Sequence, residues 1–445
     1  MEKYLIRTTE EVSDLSEQQQ QAFNKYVTGD NIFITGPGGS GKSELIRRIY
    51  KHATGKKKEI SVCAMTGCAA LLLNCKATTL HSWSGIGIGN KPAHELVKKI
   101  RNNKFAKKMW LNTNILILDE VSMLSLKLFD LLNQIGRILR NNSAPFGGIQ
   151  VILSGDFYQL PPVGDASDPD SGRFCFESDE WDTIFGENTV ELVKIFRQSD
   201  TKYADILNQI RKGRIKRSAN ELLQSFVGRE PPPDMVITKL YPTRSKVDAI
   251  NTERMNSLEG EEHEFRLSTK VGPTTQSKHT SAEIQYESDH LTNNIVCERV
   301  VRLKVGAHVM CVVNIQTDQM IVCNGSQGVV TGFTGDGLPV VKFNSGVEMI
   351  MGRHAWASEK IPSITATQVP LILAWALTIH KSQGATLDAA EIDVGSGIFE
   401  CGQTYVALSR VKSLDGLYLT SYDSTRIKIN KKVFEFYNAL TPKNE

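Results

Sequence analysis

Short apolar runs recur along the chain, each closed by glycine, proline or an acid. Asn31-Ile32-Phe33-Ile34-Thr35, Asn114-Ile115-Leu116-Ile117-Leu118 and Ile149-Gln150-Val151-Ile152-Leu153 are apolar at nearly every position. Such runs predict central strands of a parallel sheet, buried on both faces, because a half-exposed strand would alternate. Residues 44–50 place Leu45, Ile46 and Ile49 on one side of a helix. Strand and helix signals resume at Thr189-Val190-Glu191-Leu192 and over 203–210, and Pro231-Pro232-Pro233 reads as a stiff boundary. From Gly306 to Trp356 the pattern changes to short β-rich pieces between turn signals: Asn324-Gly325, Gly335-Asp336-Gly337 and Asn344-Ser345-Gly346. That spacing predicts a small antiparallel barrel inserted in an α/β domain. Strand signals return at Leu371-Ile372-Leu373-Ala374-Trp375. The polar stretch 258–295, with Glu259, Glu261, Glu262 and Glu264, has no clear period.

Composition narrows the classes without choosing among them. The 445 residues are 40% hydrophobic and 23% charged, as in soluble chains of about two to four domains. A disordered chain, a coiled coil and a collagen-like fibre are excluded. The longest apolar stretch, 369–377, falls far short of the ~18–20 residues that span a bilayer. No apolar leader opens the chain and Glu10, Glu11 and Asp14 do not suit a transit peptide, so an intracellular protein is expected. With 52 basic against 49 acidic residues the net charge is only +3, so a nucleic-acid partner has to be argued from local patches. The eight cysteines include no C-x-x-C pair, which favours reduced, buried thiols over zinc or disulfides.

Three segments carry chemistry. After the first apolar run comes Gly36-Pro37-Gly38-Gly39-Ser40-Gly41-Lys42-Ser43, then the helical pattern. Strand, glycine-rich turn and helix is the context of a phosphate-binding loop: backbone N–H groups cradle phosphate, Lys42 reaches the β/γ-phosphates and Ser43 holds Mg²⁺. ATP and Mg²⁺ are therefore the expected ligands. The second run ends in Asp119-Glu120, at the carboxyl end of a strand where ligands bind in open α/β sheets. Asp119 suits the Mg²⁺ shell and Glu120 suits activation of a water. The third run leads into Ser154-Gly155-Asp156-Phe157-Tyr158-Gln159 before two prolines. Gln159 is either a γ-phosphate sensor or part of a structural turn. Gly85-x-Gly87-x-Gly89 follows no strand and opens no helix, and is set aside.

Two basic segments bear on the partner. Residues 98–108 hold six basic residues and no acid, with Phe105 and Lys107 among them and Trp110 just beyond; residues 211–217 hold five in seven. Cations interleaved with rings suit a single nucleic-acid strand, and equally a solvated helix face. Trp83 is open to both stacking and core, and His81 to both contact and core.

Taken together and in order, these blocks resemble a superfamily 1 DNA helicase, and more narrowly the Pif1 family (superfamily 1B), over about residues 15–421. Leu15-Ser16-Glu17-Gln18-Gln19 with Phe23 is similar to the family's Q motif, which implies that Gln19 reads adenine. Thr66-Gly67-Cys68-Ala69-Ala70 and Thr78-Thr79-Leu80-His81-Ser82 look like motif Ia and its downstream DNA contact. Pro145-Phe146-Gly147-Gly148-Ile149-Gln150 resembles the end of the Pif1 signature, whose start is looser because Ser125 stands where an aspartate is usual. Phe196-Arg197-Gln198, His380-Lys381-Ser382-Gln383-Gly384 and Tyr405-Val406-Ala407-Leu408-Ser409-Arg410 look like motifs IV, V and VI. Residues 257–300 match the family poorly.

The resemblance implies two RecA-like parallel-sheet lobes. The first would comprise 1–82 and 113–187 with a small wedge at 83–112; the second would comprise 188–257 and 363–445 with an SH3-like β-barrel at 258–362. It implies an ATP-dependent DNA helicase that moves on single-stranded DNA, 5′→3′, and unwinds duplex at single-strand/double-strand junctions, at work in DNA replication, recombination and repair, as a monomer. A translocase that remodels nucleoprotein without unwinding is the alternative. Catalytic roles are implied for Lys42, Glu120, Gln159 and the arginine fingers Arg197 and Arg410. Nucleotide contacts fall at Gln19, Gly36, Gly38, Gly39, Ser40, Gly41, Lys42, Ser43 and Gly384, with Mg²⁺ at Ser43 and Asp119. DNA contacts fall at Thr66, His81, Phe105, Lys107, His380 and Ser382.

Overall fold

The computed structural model describes residues 15–440 except 74, 88, 90, 166–167, 198–199, 233–234, 236, 274–278, 296, 314, 317–320, 323–324 and 359–360. The first apolar runs form strands as expected. Six parallel strands, β1 (Ile32–Thr35), β2 (Ile60–Ala64), β3 (Thr78–Thr79), β4 (Ile115–Asp119), β5 (Gln150–Gly155) and β6 (Thr189–Glu191), pair in the order β3-β2-β4-β5-β1-β6. Because side chains alternate across a strand, each run feeds two cores. Ile32, Ile34, Ile115, Ile117 and Ile152 enter one, with Ala22 and Tyr26 of α1 (Glu17–Thr28) and Leu45, Ile46 and Ile49 of α2 (Lys42–Gly55). Phe33, Leu116, Leu118, Val151 and Leu153 enter the other, with Phe129 of α5 (Leu126–Arg140). Both faces are covered, so the runs had to be apolar throughout.

Between β3 and β4 lie α3 (Ala93–Asn102) and α4 (Lys104–Asn112). Leu96, Val97, Ile100, Ala106 and Trp110 are buried, and Trp83 stacks obliquely on Trp110 with ring centroids 4.5 Å apart. Trp83 is core. Arg140 closes this packing: its Nε donates to the Gly147 carbonyl (2.7 Å) and its Nη1 to those of Trp110 (2.7 Å), Leu111 (3.0 Å) and Thr113 (3.2 Å). The signature segment around Phe146 is thus a structural clasp on α5 and the end of α4, with the Phe146 N–H donating to Asn133 Oδ1 at 2.8 Å. Ser125, where an aspartate is usual, is the N-cap of α5, its Oγ accepting from Leu128 N–H at 3.3 Å. Serine and aspartate cap equally well, so the departure is conservative.

The chain divides into one unit of Met1–Gln198 with Ile429–Glu445, and a second of Ser199–Lys428. Three expected boundaries move. β6 pairs parallel with β1, so residues from 188 to 198 stay with the first unit. The last helix, α6 (Lys431–Leu440), buries Val433 and Tyr437 in the first unit's core, although 363–445 was expected in the second lobe. Leu371–Leu373, also expected there, pairs with His308–Cys311 in an antiparallel sheet.

The second unit has four parallel strands, β7 (Thr238–Tyr241), β8 (Ala376–Thr378), β9 (Ala390–Val394) and β10 (Leu417–Tyr422), in the order β8-β7-β9-β10. Between β7 and β8 the chain builds a five-stranded antiparallel sheet in the order Glu348–Ile350, Pro339–Phe343, Gln327–Phe333, His308–Cys311, Leu371–Leu373, around Val309, Val330, Val341 and Phe343. The turns at 335–337 and 344–346 join neighbouring strands of this sheet as their composition predicts; Asn324 lies outside the described residues. The unreadable stretch 258–295 supplies strands His263–Arg266 and Ser268–Val271 and helix Ser281–Asn294. Among the described residues no helix is long and apolar enough to cross a membrane.

Arg140→Met keeps most of the side-chain length and removes the donor from four carbonyls. It is expected to lower the unfolding free energy of the first unit by about 2–4 kcal/mol. A chemical-denaturation midpoint equal to the parent's would show that those carbonyls find other partners.

Candidate active site

The carboxyl ends of three adjacent strands, β4, β5 and β1, bring together the acids, the Gln159 segment and the glycine-rich loop. The loop leaves β1 at Gly36, whose φ is +143°, and a Cβ there would lie 2.4 Å from the Leu192 carbonyl oxygen. Gly41, with φ +85°, starts α2, and a Cβ on it would lie 2.5 Å from Gln19 Nε2. Backbone crowds Gly36 and the Gln19 side chain crowds Gly41, and both φ values are positive, so glycine is required at each. Gly38 and Gly39 lie in the loop, and Ser43 is half-buried at the start of α2. Lys42 Nζ donates back to the loop's own carbonyls, Gly36 (2.7 Å) and Pro37 (3.1 Å). Ser40 Oγ is buried with no hydrogen-bond partner.

Gln19 joins the Q motif to this loop. Its Oε1 accepts from Ser16 N–H at 2.9 Å in a capping box, and its Nε2 donates to the Gly41 carbonyl at 3.3 Å. Phe196 lies beside them: its N–H donates to the Gly39 carbonyl at 2.8 Å, its ring approaches Gly41, and it stays 51% exposed. An exposed ring beside the Gln19 amide offers a flat apolar face at the mouth of the loop. Sequence reasoning passed over it because one aromatic next to an arginine has no spacing signal.

Asp119 is buried, and its Oδ1 accepts from Ser154 Oγ at 2.7 Å. Burial first, and the neighbouring Glu120 second, push its pKa up to about 6, against the pull of Ser154 and Lys42. Glu120 has φ +56°, ψ +42°, a left-handed conformation a glutamate adopts only at a cost of about 1–3 kcal/mol. Strain of this kind recurs at active sites and ligand clamps. Gln159 is nearly buried, its N–H bonded to the Asp156 carbonyl at 2.9 Å.

These residues fit Mg²⁺ and a nucleotide. The glycine cradle would be filled by any Cβ, Ser40 Oγ lacks a partner, and the buried Asp119 carboxylate gains from a cation. Among the described residues no cluster of three or more His, Cys, Asp or Glu could hold a metal alone. That agrees with Mg²⁺, which takes one or two protein oxygens and completes its shell with phosphates and water.

The other expected residues divide between the units. Arg197 is half-buried, directly after Phe196 in the first unit; Gln198 lies outside the described residues. Arg410 belongs to the second unit and is only 2% exposed. Its guanidinium donates to the carbonyls of Val406 (2.9 Å) and Ala385 (3.3 Å) and to Ser409 Oγ (2.8 Å). Gly384, in the turn before Ala385 with φ +83°, is thus brought to motif VI. Ser382 does not face a strand: it is fully buried and its hydroxyl donates to the Ile379 carbonyl at 2.8 Å, holding the turn. His380 is exposed. Thr66 is exposed and caps the helix Gly67–Leu73, its Oγ1 accepting from Ala69 N–H at 3.2 Å. His81 is half-buried, and burial lowers its pKa. On α3 and α4, Lys98, Lys99, Arg101, Lys104, Lys107 and Lys108 are exposed and Phe105 is half-buried. In the other basic segment Arg211 is buried, so that patch is smaller than its composition suggests.

A doubly wound parallel sheet with this loop and this acid pair defines a P-loop fold of the RecA-like class. Residues 14–221 match the model of the PIF1-like helicase family, and 288–333 match that of the DNA helicase Pif1 2B domain. The ATP-dependent DNA helicase PIF1 of Emericella nidulans is 37% identical over 93% of this chain and 61% of its own length. The crystal structure of Pif1 helicase from Candida albicans is 34% identical with a TM-score of 0.76, covering 96% of this chain and 99% of that one. Bacteroides Pif1 helicase in complex with ADP-AlF3 and ssDNA is 28% identical with a TM-score of 0.63, covering 97% and 98%. The chain belongs to the Pif1 helicase family. It spans about three fifths of the length of the Emericella relative.

Gly36→Ala forces two backbone segments apart. It is expected to weaken ADP binding by about tenfold or more, measured by fluorescent-nucleotide titration. An unchanged Kd would show that the loop gives way freely.

Proposed function

We propose that this chain is an ATP-dependent DNA helicase that moves 5′→3′ on single-stranded DNA and separates duplex at single-strand/double-strand junctions, as a monomer. The observation that carries this reading is the convergence of Lys42, Asp119, Glu120 and Gln159 at the ends of three neighbouring strands. The exposed cations of α3 and α4 support a DNA partner, as do relatives named as DNA helicases, one of them solved with single-stranded DNA.

Each residue has a task in hydrolysis. Lys42 exchanges the Gly36 and Pro37 carbonyls for the β/γ-phosphate oxygens. Ser43 and Asp119 would hold Mg²⁺, which would supply charge neutralisation at the phosphates. Glu120 orients a water and accepts its proton; Gln159 hydrogen-bonds the γ-phosphate. Gln19 reads the adenine edge while Phe196 stacks on its face. Arg197 and Arg410 keep the finger roles that the resemblance implies, with positive charge for the transition state. Along the strand we assign Thr66, His81, Phe105, Lys107 and His380, with residues 83–112 as the wedge and the antiparallel sheet of the second unit as a separate insertion.

The test is strand displacement, with ATP and Mg²⁺, on two duplexes that differ only in a 5′ or a 3′ single-stranded tail. Release from the 5′-tailed duplex alone is expected. Release only from the 3′ tail would overturn the direction, and DNA-stimulated ATP turnover without release would establish a translocase instead. Lys42→Ala is expected to abolish turnover, and Glu120→Gln to bind ATP without hydrolysing it; normal turnover in either would sink the site assignment. Alanine at Arg197 or Arg410 is expected to cut kcat by about 10²-fold or more with little change in ATP affinity. Equal effects on both would count against the finger roles.

A further inference from the structure

The last helix reaches the catalytic strands. In α6, Tyr437 is 7% exposed, and its ring lies parallel to that of Tyr158 with centroids 4.6 Å apart. Its hydroxyl is 2.6 Å from Thr35 Oγ1, and it accepts from the Phe157 N–H at 3.2 Å. Thr35 is the final residue of β1, next to the first glycine of the phosphate loop. Phe157 lies two residues before Gln159. One phenol therefore bridges the loop's root and the turn that carries Gln159.

The rest of α6 fixes where that hydroxyl sits. Phe436 stacks on Phe176 at 4.4 Å and meets Phe157 edge-on at 5.5 Å. Lys432 pairs with Glu177. Thr35 is fully buried, so water cannot replace the hydroxyl there. Within the turn, the Tyr158 N–H donates to Asp156 Oδ1 at 3.2 Å and the Gln159 N–H to the Asp156 carbonyl at 2.9 Å.

We propose that Tyr437 is a positioning residue for ATP hydrolysis: through its hydroxyl the C-terminal helix holds the Gln159 turn in register with the phosphate loop. This rests on Gln159 sensing the γ-phosphate. Its hydroxyl acts through Thr35 and the Phe157 N–H. A shift of the turn that leaves Lys42 and the loop in place alters the rate and not the affinity.

Tyr437→Phe keeps the ring on Tyr158 and deletes only the oxygen. It is expected to lower kcat for ATP roughly tenfold, with KM and the Kd for fluorescent ADP within about twofold of the parent. Paired with Gln159→Ala, it is expected to slow the enzyme no further than Gln159→Ala does alone, since both remove one function. Phe436→Leu, which loosens the helix and leaves the hydroxyl, is expected to lower the unfolding midpoint more than it lowers kcat. Unchanged kcat in Tyr437→Phe, additivity with Gln159→Ala, or a kcat loss matched by a loss of ATP affinity would each overturn the proposal. A parent protein that hydrolyses ATP without displacing a strand would sink the helicase reading and leave Tyr437 under test. A parent without ATP turnover would sink both.

Discussion

The site depends on the register of three parallel strands. Thr35 lies opposite Gly155 and Leu118 opposite Leu153, so the loop, the Gln159 turn and the acid pair leave the sheet at one level. Because side chains alternate, a slip of one residue in β4 would exchange the partners of two cores and carry Asp119 away from Ser154. The continuous apolar runs prevent that slip, since each side of each strand is already committed to a packed layer. Catalytic geometry here is a by-product of hydrophobic register.

What was legible in the sequence was what is local. The phosphate loop is contiguous and the helix after it shows its apolar face, although what crowds its glycines, Leu192 at Gly36 and Gln19 at Gly41, lies far off in sequence. Asp119 and Glu120 were legible because a buried strand ended in charge. β6 was misassigned because three residues have no period of their own; only pairing with β1 places them. α6 looks like any amphipathic helix, and nothing in its ten residues says that their partners lie 255 to 402 positions upstream. Trp83, Ser382 and Arg410 share one difficulty. A motif records that a residue is kept, not whether it faces solvent, and these three are buried.

Arg410 illustrates what burial demands of a charge. Its guanidinium lies among the Val406 and Ala385 carbonyls and the Ser409 hydroxyl, oriented dipoles in place of water. The same bonds tie motif VI to the turn of motif V, so the arginine also organises the polypeptide around it. Asp119 shows the converse, a carboxylate that burial and a neighbouring acid make reluctant to ionise, in a place where a cation would reverse that preference.

The membership of α6 in the first unit also has a bearing on synthesis. A ribosome releases the first 198 residues with the apolar surface around Phe33, Phe157 and Phe176 uncovered, because Val433, Phe436 and Tyr437 have not been made. The intervening Ser199–Lys428 takes on the order of ten to fifty seconds to emerge at ~5–20 residues per second. For that interval the nascent lobe exposes an aromatic patch suited to chaperone capture, and the candidate site reaches its finished form only when α6 leaves the exit tunnel. A premature stop anywhere in the second unit would therefore yield a lobe that has its phosphate loop, acid pair and Gln159 turn and still lacks a wall of its core.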